Sequence, residues 1–110
     1  MKSCYRLKKN YQYNYVYKHA ESVADKNFVL LYCKNNKKQS QVGFSVSKKY
    51  GHAVARNRLR RQMKAAVSAI MPGATKGFNA VLVPRKKEPY LFADIAESVQ
   101  NLFVKAGLVS

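Results

Sequence analysis

The densest group of chemically active side chains in the sequence is a basic block at positions 48–64, KKYGHAVARNRLRRQMK. It contains seven basic residues and no acidic one: Lys48, Lys49, Arg56, Arg58, Arg60, Arg61 and Lys64. On a helix, Arg56, Arg60 and Lys64 lie along one edge at i, i+4 and i+8, Arg61 extends that edge outward, and Arg58 lies farther round.

Like charges at this spacing destabilise a free helix by about 0.2–0.5 kcal/mol per pair. A guanidinium fork can bond two phosphate oxygens at once. The block therefore favours a bound polyanion, with a solvated cationic face as the alternative.

The composition of the whole chain favours the same class of partner. The 110 residues carry 21 Lys and Arg against 5 Asp and Glu, a net charge of +16, and 47% of them are hydrophobic. Residues 1–64 hold 16 basic and 2 acidic residues, a net of +14, whereas residues 65–110 net +2. Such a charge predicts nucleic acid rather than an anionic membrane as the partner, and no run of about 18 apolar residues is present to span a membrane. No linker or repeat divides the chain, so one RNA-binding domain over residues 1–110 is expected.

A second group of candidate binding residues is aromatic. Tyr13, Val16, Tyr17 and Ala20 fall at i, i+3, i+4 and i+7 and share one helical face. Single-stranded RNA binds by stacking its bases on aromatic rings, worth about 1–3 kcal/mol per base. From the residues alone, such a stripe is more often a core face than a binding groove, and both interpretations stay open. Tyr11 and Tyr15 lie elsewhere on the helix.

The sequence lacks the groupings of a protein nuclease or a metal site. His19 and His52 are the only histidines, and neither has an acidic residue suitably placed for acid–base catalysis. Cys4 and Cys33 fit neither a metal spacing nor a disulfide framework, and the N-terminus has no apolar signal segment. A reduced protein of the cytoplasm is therefore expected. The acidic residues are scattered without metal-ligand spacing: Glu21, Asp25, Glu88, Asp94 and Glu97.

Hydrophobic periodicity predicts the elements that position these residues. The order is helix, strand, strand, helix, strand, helix. The expected ranges are a helix at 10–20 capped by Asn10, a strand at 27–34, a hairpin loop at 35–40, a strand at 41–47, a helix at 53–71 stopped by Pro72-Gly73, a strand at 78–84, and a helix that opens at Pro89 and ends at Gly107.

Three of these elements have a clearly apolar face. The strand at 41–47 alternates, and its second face of Gly43, Ser45 and Ser47 is small enough for something to lie across it. The apolar positions are Val42, Phe44 and Val46 in this strand; Leu59, Met63, Ala66, Val67 and Ile70 in the second helix; and Leu91, Ile95, Val99, Leu102 and Phe103 in the last helix.

The basic block also carries a family resemblance. Residues 49–61, KYGHAVARNRLRR, closely resemble the signature of the protein subunit of bacterial ribonuclease P, an Arg-Asn-Arg block preceded by K-x-G-x-A-V and followed by a basic pair. The resemblance continues in LKKN at 7–10, FVL at 28–30 and VGFSVSKK at 42–49. It covers about residues 7–105 with similar spacing.

The resemblance implies a fold and a function. The fold is an α/β, or α+β, sandwich with three helices and a mixed sheet of about four strands, one more than the periodicity shows, in the order αβββαβα with a left-handed βαβ crossover. The function is to bind the catalytic RNA of ribonuclease P and the 5′ leader of precursor tRNA while the leader is removed. The RNA supplies the active site and holds most of the Mg²⁺, so the protein contributes no catalytic residue. One monomeric protein per RNA is expected.

The resemblance also implies roles for particular residues. Relatives often carry an aromatic residue three positions after Phe28, but here Leu31 stands there, and Tyr32 should point to the opposite face. For Gly51, a simple turn and a close approach to RNA stay open. The residues expected to face the catalytic RNA are Lys48, Lys49, Gly51, Arg56, Asn57, Arg58, Arg60, Arg61 and Lys64. Those expected to hold the leader are Tyr13, Tyr17 and Phe28.

Two other functions fit a small basic α/β protein. A structural RNA-binding protein of the ribosome would not distinguish precursor from mature tRNA. A stand-alone, metal-independent nuclease would cleave without added RNA.

Overall fold

The computed structural model describes residues 5–35, 39–85 and 90–109. Within them the element order is αβββαβα, as predicted, which confirms the α+β class. The helices are α1 (Asn10–His19), α2 (Ala53–Ile70) and α3 (Phe92–Lys105). The strands are β1 (Glu21–Ala24), β2 (Phe28–Lys34), β3 (Gln41–Phe44) and β4 (Phe78–Pro84). Single 3₁₀ turns at Lys48–Tyr50 and Met71–Gly73 flank α2.

The four strands form one mixed sheet in the order β1-β2-β4-β3. The β1–β2 and β2–β4 pairs are antiparallel, whereas β3 and β4 are parallel and are joined through α2. The predicted hairpin between the strands at 27–34 and 41–47 is therefore wrong, because β4 lies between them. The apolar β4 is buried along most of its length and takes the interior position, which leaves the shorter β3 beside it. The hand of the β3–α2–β4 crossover stays a prediction from the resemblance.

The two faces of the sheet bury different helices. Because side chains alternate along a strand, Phe28 and Leu30 of β2 pack in the large cluster with α2 and α3, whereas Leu31 faces the smaller cluster under α1. Val16 of α1 and Val81 of β4 form the centre of that smaller cluster, and both are fully buried. The sheet thus separates α1 from α2 and α3, and Tyr32 does point away from Leu31, as predicted.

Two helix starts differ from the sequence prediction. Asn10 is the first helical residue of α1 and not its cap; Lys9 occupies the cap position, and the side-chain oxygen of Gln12 accepts its backbone N–H at 3.0 Å. In α3, Leu91 precedes the helix and is 71% exposed, so it does not belong to the buried stripe. Pro89 lies outside the described residues.

A buried hydrogen-bond hub at Asn27 joins three parts of the fold. Its side-chain nitrogen donates to Oγ of Ser98 in α3 at 2.7 Å. Its backbone carbonyl oxygen accepts hydrogen bonds from the Tyr90 hydroxyl at 2.8 Å and from the backbone N–H of Arg85 at 2.8 Å. Asn27 therefore holds the start of β2 against the end of β4 and against α3.

Candidate nucleic-acid interface

The floor of the interface is set by the contact between Tyr13 of α1 and Gly43 of β3. A Cβ atom built on Gly43 would lie 2.6 Å from Cε1, Cζ and Oη of Tyr13. The Tyr13 hydroxyl also accepts the backbone N–H of Phe44 at 3.3 Å. The small face of the strand at 41–47 therefore receives α1, as its alternation indicated.

An open groove of about 450 Å³ runs beside this contact. Tyr13 and Tyr17 form one wall, with ring centroids 6.4 Å apart and planes tilted by 45°. Tyr13 is half-buried, and burial raises its pKa above 10.0. Tyr17 is 49% exposed. Phe44, Ser45 and Arg60 form the opposite side. We call this the first groove.

Three cations converge on a notch of about 270 Å³ next to the first groove. Arg60 and Lys64 of α2 line it together with Arg6 and the edge of Tyr13. Burial, followed by the charges of Arg6 and Arg60, lowers the pKa of Lys64. None of the described residues lining the notch or the first groove is Asp or Glu. The crowded cations are therefore uncompensated here, which is the electrostatic setting of a phosphate site.

Arg6 was not singled out in the sequence. It enters the site because the segment before α1 runs alongside β3, where Arg6 is bridged to Val42 and the Leu7 N–H donates to the Val42 carbonyl at 3.2 Å. The signal available in the sequence was the basic run RLKK at positions 6–9. Its spatial closeness to α2 depends on strand pairing and could not be read from spacing.

The Arg-Asn-Arg block sits on α2 as predicted, with its arginines on different sides. The buried Nε of Arg56 has no hydrogen-bond acceptor in the described part of the chain. Arg60 donates to Oδ1 of Asn57 at 3.2 Å, which steers its guanidinium. Arg58 points to a different cavity beside Tyr50 and away from the first groove.

The other predicted RNA-facing residues lie around the start of α2. Lys48 and Lys49 are exposed on a 3₁₀ turn, and Arg61 is exposed on α2. Gly51 has a positive φ of 158° with ψ −164°, a backbone conformation that residues with a Cβ rarely adopt. A Cβ there would meet Ala55 at an ordinary 3.6 Å. The backbone conformation of this turn, rather than local packing, therefore favours glycine at this position.

Phe28 does not line the first groove. Its side chain is fully buried and stacks on Tyr90, with ring centroids 5.0 Å apart. Because of strand alternation, it faces α2 and α3, on the opposite side of the sheet from Tyr13 and Tyr17. The prediction that Phe28 would offer a stacking face is wrong for this reason. Leu31 and Cys33, both half-buried, are residues of β2 that face α1.

Comparison with known proteins decides the family. A family model for Ribonuclease P matches residues 1–107. The chain belongs to the ribonuclease P protein family. It is 41% identical to the ribonuclease P protein component of Finegoldia magna over 103 residues, covering 93% of this chain and 90% of that protein. It is 41% identical to that of Clostridioides difficile over 104 residues, covering 93% and 91%.

Solved ribonuclease P proteins share the fold. The structure from Staphylococcus aureus aligns with a TM-score of 0.87 at 28% identity, covering 96% of this chain and 98% of that one. The structure from Thermotoga maritima aligns with a TM-score of 0.82 at 30% identity, covering 91% and 96%. The chain is thus similar throughout its length to the protein component of a holoenzyme that processes the 5′ end of tRNA, and its partner is the ribonuclease P RNA.

Membership of this family implies an RNA-catalysed, metal-dependent reaction. The described residues contain no group of three or more His, Cys, Asp or Glu side chains able to hold a metal ion. In residues 5–35, 39–85 and 90–109, none of the helices has the length and apolarity needed to cross a membrane.

Proposed function

We propose that the first groove holds the single-stranded 5′ leader of precursor tRNA, while the basic edge of α2 binds the catalytic RNA. The observation that carries this proposal is that exposed aromatic faces and an arginine line one open cavity. Tyr17 and Tyr13 supply the rings, and Arg60 lies across from them. A base and its phosphate could be bound there together, because stacking and charge pairing act on adjacent parts of one nucleotide.

Each group has a distinct part in this mechanism. The exposed ring of Tyr17 stacks on a leader base without regard to its identity, since every base has a π-face. Tyr13 is fixed by Gly43 and by the Phe44 N–H, so its ring loses little freedom when RNA binds. Arg6, Arg60 and Lys64 pair with phosphates at the notch.

The protein then assists cleavage by binding rather than by chemistry. Cations that neutralise RNA phosphates reduce the need for bound counterions. We therefore expect the protein to lower the Mg²⁺ concentration that the holoenzyme requires, with the Mg²⁺ held mainly by the RNA. One monomeric protein per catalytic RNA, acting on precursor tRNA in the cytoplasm, completes the proposal.

Reconstitution tests it. The protein is mixed with a bacterial ribonuclease P RNA, and precursor-tRNA cleavage is measured at low Mg²⁺. We expect cleavage with both components, little with RNA alone, and none with protein alone. Arg60→Ala should weaken assembly, whereas Lys105→Ala removes the same charge from the far end of α3 and should not.

Two outcomes would contradict the proposal. Turnover by RNA-free protein, surviving nuclease controls, would indicate a stand-alone nuclease. Equal binding of precursor and mature tRNA by the holoenzyme would indicate an RNA-binding protein without a leader site.

A further inference from the structure

A second aromatic surface lies on the other flank of α1. Tyr11, Tyr15 and His19 follow one another at i, i+4 and i+8 and form a stripe that the first groove does not use. Tyr11 is 68% exposed and Tyr15 is 52% exposed. The rings of Tyr15 and His19 are in contact, with centroids 4.4 Å apart and planes tilted by 39°. Large apolar rings are thus held in solvent along two turns of helix.

These rings border a groove of about 700 Å³, which we call the second groove. Its other wall is formed by Lys34 and Asn35 at the end of β2 and by Asn79 at the start of β4. Lys18 and Lys34 add positive charge, and the described lining residues include no Asp or Glu. Aromatic faces beside cations, without acids, are suited to single-stranded nucleic acid.

The two grooves meet at one residue. Asn14, exposed on the outer side of α1, lines both of them. A helix with its side chains is only about 10–12 Å across, so a strand leaving the first groove can cross α1 within a few nucleotides. Lys18 also lines the second groove from this outer side of the helix and could pair with a crossing phosphate.

The position of the second groove favours the leader over the catalytic RNA. The apolar face of α2 packs on the sheet face opposite α1, and the basic edge of the helix reaches the first groove through Arg60. The second groove is lined by α1 and the ends of β2 and β4, without a residue of α2 among its described lining.

We propose that the second groove binds the 5′ part of the same leader after the strand has crossed α1 at Asn14, with bases stacked on Tyr15 and Tyr11. This proposal rests on the proposed function, since it extends the leader path that begins in the first groove. It predicts that long leaders are bound more tightly than short ones, through residues that short leaders never reach.

The test is a series of precursor tRNAs whose leaders increase one nucleotide at a time, bound to the reconstituted holoenzyme. The main variant is Tyr11→Ala/Tyr15→Ala, and its matched control is Tyr11→Phe/Tyr15→Phe, which keeps both rings. Tyr17→Ala reports on the first groove. Because Tyr11 and Tyr15 are exposed, thermal unfolding should be unchanged, and this is measured for each variant.

We expect Tyr17→Ala to weaken every substrate whose leader reaches the first groove. The Tyr11→Ala/Tyr15→Ala variant should match the wild type on short leaders and lose about 5-fold to about 150-fold per stacked base on longer ones. The phenylalanine control should bind all leaders normally. Photocrosslinking from 5-iodouridine should reach Tyr15 only from positions farther from the cleavage site than those that reach Tyr17.

Three results would overturn the inference. If the Tyr11→Ala/Tyr15→Ala variant loses the same affinity for leaderless and long-leader substrates, the stripe contacts the catalytic RNA or the tRNA body instead of the leader. If the Tyr11→Ala/Tyr15→Ala variant binds substrates of every leader length with wild-type affinity, the stripe contacts a protein partner or only solvent. If Tyr17→Ala also leaves the affinity for every substrate unchanged, leader binding in the first groove is contradicted as well. The crosslinks then show whether the leader contacts α1 at all.

Discussion

Replacing Gly43 by alanine is expected to displace the ring of Tyr13 and to destabilise the protein. The new Cβ would lie 2.6 Å from two ring carbons and the hydroxyl oxygen of Tyr13, whereas ordinary contacts begin at 3.4 Å, so the side chain must retreat by at least 0.8 Å. Overpacking of this kind costs about 1–3 kcal/mol. The retreat would also stretch the 3.3 Å hydrogen bond from the Phe44 N–H to Tyr13. Gly43 does not have a positive φ, so the backbone itself should accept alanine.

A double-mutant cycle separates this clash from other effects of the substitution. In a Tyr13→Ala background the ring is gone, and Gly43→Ala should then be neutral or stabilising by up to about 1 kcal/mol, because alanine in a strand loses less backbone entropy than glycine. The coupling free energy between the two positions should therefore be about 1–4 kcal/mol.

The assay is chemical denaturation of the four proteins, with holoenzyme affinity for precursor tRNA measured in parallel. Gly43→Ala should weaken binding of leader-bearing substrate and leave leaderless substrate unaffected, since the displaced ring belongs to the first groove. If Gly43→Ala changed the free energy of unfolding equally in both backgrounds, the close packing of Tyr13 of α1 on β3 would be refuted.

Three further predictions concern charge, pH and packing. Arg56→Ala and Arg60→Ala should each reduce the slope of log K against log salt for binding to the catalytic RNA by nearly one unit. Lys105→Ala is the charge-matched control. Unchanged slopes for the two arginine variants would mean that this face of α2 is only solvated. Burial raises the pKa of Tyr13, so folding favours the neutral form of this side chain. The resulting contribution to stability is complete below pH 10.0 and is lost as the pH rises through the raised pKa. Denaturation measured across this pH range should therefore show a shallower loss of stability for Tyr13→Phe than for the wild type. Asn27→Ala should lower the free energy of unfolding by about 1–3 kcal/mol, because it removes the buried side-chain hydrogen bond to Oγ of Ser98. A neutral result in denaturation would contradict the contribution of this bond.

Local pattern was enough to predict most elements and one feature of the site. Hydrophobic periodicity predicted a helix at 53–71, and the observed α2 is Ala53–Ile70. The strand predicted at 78–84 has the bounds of the observed β4. The alternation around Gly43 predicted that something would lie across that face, and Tyr13 does so. These features succeed because side-chain direction follows directly from the helix and strand repeats.

The errors arose where the answer depends on long-range pairing. The hairpin between β2 and β3 was predicted from their closeness in sequence, but β4, more than thirty residues later, takes the place between them. Phe28 was placed in the groove by motif position, although the phase of β2 turns it to the other face. Arg6 reaches Lys64 only because residues 6–7 pair with β3. Strand order and phase relative to α1 are not contained in any local window of sequence.

The most direct test of the central claim is the affinity of the Tyr17→Ala holoenzyme for precursor tRNA with and without a leader of several nucleotides. Tyr17 is 49% exposed, so the variant should unfold like the wild type. Loss of one stacking platform should reduce affinity for the leader-bearing substrate by about 1–3 kcal/mol and leave the leaderless substrate unchanged. Equal loss on both substrates, or no loss on either, would contradict leader binding in the groove between α1 and β3.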